Sequence, residues 1–266
     1  MDRRQFVATA AATGAGAVIP FASTAGSGLS QAPTDREYYE LRKYRCASAP
    51  RMRILEDFWS KAMIAACGRI GIGPVGVFKG VYGPDSATLH ILLTHQSLES
   101  AATATSRLLD DAEVRSAGAE YFGAPIDNPP FVRMDSRLLV AFSGLPHLVV
   151  PDAAKEKKPR ILELRTYESH NELTGRKKVE MINSGEVEFF RRSGAPPVFF
   201  GESLFGDGMP SLSYMLVFPD IAARDAGWAA FGKDPDWVKM SAEPRYKDLV
   251  SNISDLILRP TAYSQI

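Results

Sequence analysis

A phrase written twice constrains this chain more than any other feature. Residues 40–44 read ELRKY and residues 163–167 read ELRTY, and a shift of 123 positions extends the match well beyond them. Glu40, Leu41, Arg42 and Tyr44 fall on Glu163, Leu164, Arg165 and Tyr167, and Gly71, Pro74 and Val75 fall on Gly194, Pro197 and Val198. Gly83, Leu89, Leu93 and Asp111 fall on Gly206, Leu212, Leu216 and Asp234. One register held across so many element boundaries marks a duplication. The fold must therefore be a unit that two copies can complete together.

Each copy gives the same order of elements. The ELR phrase sits in a stretch rich in Tyr, Leu and Ile, suited to a strand. A helix follows, with Pro50 in its first turn after Ser48 and an apolar face of Met52, Leu55, Trp59, Met63 and Ala66 at three- and four-residue steps. Its counterpart spans 174–192, with Val179, Ile182, Phe189 and Phe190. A hairpin turning at Gly83-Pro84-Asp85, or at Gly206-Asp207-Gly208, comes next. A second helix starts near Ser97 or Asp220, and last strands are predicted at 137–142 and 255–258. This is an α+β plan, βαββαβ, the ferredoxin-like arrangement. Two such repeats are expected to cover each other as an internal pseudo-dimeric α/β barrel, with a first repeat at 37–143, a linker at 144–159 and a second repeat at 160–266. Strand alternation puts Leu41 on one face and Glu40, Arg42 and Tyr44 on the other. The expectation is that Leu41 and Leu164 face the helices and that both polar trios face the space between the sheets.

The 266 residues carry zero formal net charge, 45% hydrophobic and 23% charged residues, ordinary for a globular chain with ample core. No basic run is long enough to track a phosphate backbone, so nucleic acid is not an expected partner. KEKKPR at 155–160 reads as solvated linker charge. Residues 1–25 read as an export signal followed by a linker at 26–36: Arg3-Arg4-Gln5-Phe6-Val7 resembles a twin-arginine motif, a small-residue apolar stretch follows, and Ser23-Thr24-Ala25 supplies a cleavage spacing. The reading is a periplasmic or secreted protein that crosses the membrane folded, with the twin-arginine machinery as a transient partner. Cys46 and Cys67 sit at opposite ends of one predicted helix. At about 1.5 Å per residue they are roughly 25 Å apart, too far for a bridge between Cα atoms that must lie within about 7 Å, so both thiols are expected to be free.

ELRKY with ELRTY, the hairpin GVFKGVYGPDSATLHILL with its copy FFGESLFGDGMPSLSYMLVF, the segment WAAFGKDPDW at 228–237 and the closing LILRPTAYS at 256–264 together resemble the NIPSNAP family. The resemblance covers nearly everything after residue 36. It implies paired ferredoxin-like domains of the dimeric α/β-barrel type and no established reaction. The first copy departs from the second at ATSRLLDDAEV, which replaces the Trp-rich segment, so a site shaped by that segment belongs to the second half alone.

The ligand-binding candidates are Glu40, Arg42 and Tyr44 with Glu163, Arg165 and Tyr167. A guanidinium and a phenol facing a shared cavity can hold a carboxylate or polarise a carbonyl, with Glu as base if burial raises its pKa. The competing role, favoured because the two trios are identical, is Glu–Arg pairing that locks the halves together. His90 and His95 lie on opposite faces of one strand, His147 and His170 lie in loops, and no spacing suggests a metal, so no cofactor is expected. Tyr38, Tyr39, Phe78 and Tyr82 are candidate walls of an apolar pocket between the sheets, while Trp228, Phe231 and Trp237 around Asp234-Pro235-Asp236 read as helix packing around a tight turn. The expected function is a small-molecule-binding or protein-interaction module, with homo-oligomers and a small organic ligand as partners. A cofactor-independent oxygenase or isomerase acting between the sheets is the alternative.

Overall fold

The computed structural model describes residues 35–81 and 87–266. The expected signal, Tyr82 and the Gly83-Pro84-Asp85 turn lie outside them. The first repeat contains β1 (Tyr38–Arg45), α1 (Ala49–Phe58), a π-helical turn (Trp59–Met63), α2 (Ile64–Arg69), β2 (Gly76–Gly80), β3 (Thr88–His95), α3 (Leu98–Asp110), α4 (Ala112–Ala117), α5 (Ala119–Phe122) and β4 (Arg133–Ala141). The short α6 (Asp152–Lys155) lies in the linker. The second repeat contains β5 (Ile161–Glu168), α7 (Glu172–Met181), a π-helical turn (Ile182–Glu186), α8 (Val187–Arg192), β6 (Pro197–Phe205), β7 (Ser211–Phe218), α9 (Ile221–Lys233), α10 (Pro235–Ser241) and β8 (Asn252–Pro260).

The duplication extends to capping chemistry. Ser97 caps α3 by accepting from the Ser100 N–H, and Asp220 caps α9 by accepting from the Ala223 N–H. Asp111 and Asp234 cap α4 and α10 and also hold Arg69 and Arg192, the same residue pair at the same offset. Even the π-helical turn recurs, Trp59–Met63 in one copy and Ile182–Glu186 in the other. The offset breaks only at the last strand. Pairing sets Arg137 of β4 opposite Leu41 and Leu256 of β8 opposite Leu164, so β4 and β8 correspond with four residues fewer in the second repeat.

Among the described residues, eight strands pair antiparallel in a closed barrel of order β1-β3-β2-β8-β5-β7-β6-β4. Each repeat supplies four adjacent strands, and the seams between repeats are β2·β8 and β4·β6. Closure leaves none of the described strands as a free sheet edge. Helices cover the outside: Leu55, Trp59, Ala66 and Leu108 pack on Tyr44, Leu89 and Ile91 in the first repeat, and Ile182, Phe190 and Phe231 pack on Leu212, Tyr214 and Leu216 in the second. A separate apolar cluster fills part of the lumen, built from Tyr39, Phe78, Leu92, Leu139, Leu162, Val198, Phe199, Met215, Leu258 and Ile266, with Leu41, Leu164 and Leu256 at its edge.

This arrangement reverses the expected orientation of β1 and β5. Leu41 and Leu164 point into the lumen, and the polar trios lie under the helices. Alternation fixes which side chains share a face and leaves open which face turns inward. An eight-stranded barrel has a lumen just wide enough for side chains to fill. Leucines extend its dry cluster, whereas the trios find donors and acceptors on α3 and α9.

Cys46 is half-buried, Cys67 is buried, and both are free thiols. Burial pushes their pKa values up, to about 11 for Cys46 and about 12 for Cys67, so neither presents a thiolate.

Candidate functional site

The trios come together as two filled networks. In the first repeat, Arg42 donates from Nε and Nη2 to the two carboxylate oxygens of Glu40 at 2.6 and 2.9 Å and reaches Thr105 of α3 at 3.3 Å. Ser136 donates to Glu40 Oε1 at 2.8 Å, and His95 Nε2 stands 3.6 Å from Oε2. Tyr44 packs against Trp59 and Phe131. In the second repeat, Glu163 is fully buried and receives four donors: Arg165 Nη1 at 2.8 Å, Arg224 Nη2 and Nε at 2.7 and 2.9 Å, and Trp228 Nε1 at 2.7 Å. The Arg165 guanidinium lies 4.6 Å from the Trp228 ring, and the Tyr167 and Tyr214 hydroxyls are 2.6 Å apart. A carboxylate has about four lone-pair positions, and Glu163 spends them all. No position remains there to take a substrate proton, so Glu163 fastens α9 to the sheet, while Glu40 holds the Arg42 that reaches α3.

Burial opposes ionisation of Glu40, yet His95, Arg42 and Ser136 overcome it and bring its carboxyl down to about 2. The folded pKa lies below the ordinary value, so the contribution to stability is complete above that value and is lost as pH falls from 4.5 toward about 2. Urea unfolding of Glu40→Gln across pH 2–7 is expected to show a flatter acid limb than the parent, the difference approaching roughly 3 kcal/mol. Equal slopes in the two proteins would remove the ion pair from the account.

The copies also differ in the lumen. A cavity of about 370 Å³ is lined by the apolar Leu41, Phe78, Leu164, Met215, Leu256 and Leu258 and by the polar Lys43, His90, Asp135, Arg137, Thr166 and Ser254. Lys43, His90, Asp135 and Arg137 all belong to the first repeat. Their counterparts in the second are Thr166, Ser213, Ser254 and Leu256, by the 123-residue offset for the first two and by strand pairing for the last two. Arg137 crosses a seam: Nη1 donates to Thr166 and Ser213 hydroxyls at 3.1 Å each, and Nη2 donates to the Asp207 carbonyl at 2.7 Å. Gly206 makes room for its stem. A Cβ there would stand 2.9 Å from Arg137 Cγ, and Gly206 has φ of +145°.

The family model described as NIPSNAP matches residues 39–145 and 162–265. The chain belongs to the NIPSNAP family. The two matched stretches are its two repeats. Among solved structures, a candidate monooxygenase of Fusobacterium nucleatum subsp. nucleatum is 11% identical with a TM-score of 0.55, the match covering 85% of this chain and 92% of that one. A second candidate monooxygenase, from Lactobacillus acidophilus NCFM, is 8% identical with a TM-score of 0.56, covering 85% and 94%. A NIPSNAP family protein of unknown function from Agrobacterium tumefaciens is 19% identical over 39% of this chain and 89% of its own, with a TM-score of 0.35. At these identities the long matches show a shared fold. No curated protein matches the chain.

Within this NIPSNAP chain, His90 faces the lumen and His95 the helix layer, as the alternation predicts. Among the described residues, no three His, Cys, Asp or Glu side chains are placed to hold a metal ion. Of the expected pocket walls, Phe78 lines the cavity and Tyr39 lies in the luminal cluster. Trp228, Phe231 and Trp237 do pack around an inter-helix turn, although Trp228 also binds Glu163. Arg137 was not singled out from the sequence. Its signal is the row Arg133, Asp135, Arg137, Leu139 and Ala141 along one face of β4, polar at one end and apolar at the other. A larger cavity of about 490 Å³ lies against the linker, but its lysines, Lys155 and Lys158, are mostly exposed and paired with Asp152 and Glu156.

Proposed function

We propose that this NIPSNAP chain is an exported binding module that takes a small organic molecule into the lumen between its two half-barrels. The observation that carries the reading is the asymmetry of the lumen. Two copies that keep identical trios under their helices differ at four luminal positions, Lys43, His90, Asp135 and Arg137 in the first against Thr166, Ser213, Ser254 and Leu256 in the second. A cavity of about 370 Å³ falls within the usual small-molecule range of about 300–1,000 Å³, and a largely apolar lining with a few polar groups is the usual composition of such sites. Small molecules extracted from the native protein should include a species that Leu164→Trp, which fills the cavity, no longer retains. Equal recovery from both proteins, or no retained species, contradicts it.

Cofactor-independent turnover is the second reading, favoured by the presence of the His90 imidazole and the Arg137 guanidinium on one cavity wall. It requires the retained molecule to be converted on incubation, and a molecule recovered unchanged leaves binding as the function. Export rests on Arg3-Arg4-Gln5-Phe6-Val7. Changing Arg3 and Arg4 together to Lys is expected to leave the precursor inside the cell, measured by fractionation, and continued export would refute the signal.

A further inference from the structure

We infer that the luminal ligand is an organic anion with an apolar body, and that Arg137 is the residue that holds its charged group. The inference rests on the luminal reading above and adds the chemical class. Arginine has five N–H donors, and the three that Arg137 uses go to neutral acceptors: two hydroxyls and a carbonyl. Among the described residues, no carboxylate forms an ion pair with it. The carboxylates that line the cavity are engaged elsewhere or contribute backbone: Asp135 binds Arg45 at 2.7 Å, Asp255 binds Arg165 at 3.3 Å, and Asp207 offers its carbonyl.

The environment works against this cation. Burial lowers the Arg137 pKa despite the nearby charges of Asp207 and Glu168. A guanidinium that keeps its positive charge on a half-buried wall gains from an anion brought in by a ligand, through the planar fork that carboxylates match. Thr166 and Ser213, themselves 2.8 Å apart, hold the fork from the second repeat, and Gly206 leaves its stem room to reach them. The seam between the repeats thus positions the anchor. Leu41, its neighbour across the β1–β4 pairing, lines the same cavity with Leu164, Met215, Leu256 and Leu258, which offer no charge and no hydrogen bond to the ligand's body.

Calorimetric titration of the full chain with 2-naphthoate, 2-naphthol and 2-naphthylmethylammonium separates the class from the cavity. The naphthoate is expected to bind about 10- to 100-fold tighter than the naphthol, the range of one charge-assisted hydrogen-bonding group, and the ammonium compound should bind more weakly than either. Arg137→Gln should bring naphthoate down to about the naphthol level, and continued binding of naphthol shows that the variant is folded. Arg137→Lys should fall between. Equal affinities for naphthoate and naphthol, unaffected by Arg137→Gln yet abolished by Leu164→Trp, would overturn the anionic class and leave the cavity standing. Absence of binding by all three probes, or binding that Leu164→Trp does not alter, would overturn both.

Discussion

Lys178→Leu alone should cost about 3–5 kcal/mol of stability, and Glu186→Met alone a similar amount, while the double variant should be close to the parent or more stable. The two residues are 5% and 2% exposed, and Lys178 Nζ lies 2.9 Å from Glu186 Oε2. Around them are Met181 and the rings of Tyr167 and Trp237. Removing either partner leaves a charge in an apolar layer with nothing to answer it. Removing both leaves a site of known shape, because the first repeat fills the corresponding positions with Leu55 and Met63, both buried. The molecule thus carries the ionic and the apolar solution to one packing problem side by side. Urea unfolding at pH 7 measures it: shifted midpoints at unchanged slope report stability. A double variant as unstable as the single ones would show that the pair supports something the apolar version cannot.

Glu163→Gln should be the next most damaging change, again about 3–5 kcal/mol. The neutral amide would offer one oxygen and one NH2 to four donors from Arg165, Arg224 and Trp228, so at least one buried N–H would face another. Both guanidiniums would also lose their shared counter-charge. Glu40→Gln in the first repeat should cost less, since Glu40 answers a single arginine and its serine partner can donate to an amide oxygen equally well. Equal losses in the two variants would mean that Arg224 and Trp228 add nothing.

Local chemistry explains which features were legible in the sequence. The repeat, the helix starts near Ser97 and Asp220, and the apolar faces of α1 and α7–α8 depend on neighbours within a turn or two, and the structure places them where the pattern does. The pairing of Glu40 with Arg42 and of Glu163 with Arg165 was legible for the same reason, since residues two apart on a strand share a face. The face itself was not. It depends on how eight strands close, and a polar trio is tolerated in either layer if partners exist there. Arg137 escaped for a related reason: the 123-residue offset sets it against Pro260, and only the shifted pairing of β4 and β8 shows that its true counterpart is Leu256.

Two roles are thereby separated: the duplicated trios hold helices to a barrel, and the diverged lumen is the proposed seat of the ligand. A crystal of the protein soaked with 6-bromo-2-naphthoate tests that separation in one measurement, because the bromine's anomalous signal reports where the ring sits. The expected peak is in the lumen among Leu41, Leu164 and Met215, with the carboxylate toward Arg137. A peak in the helix–sheet layer beside Arg42 or Arg165 would contradict it and return the trios to the centre of the function.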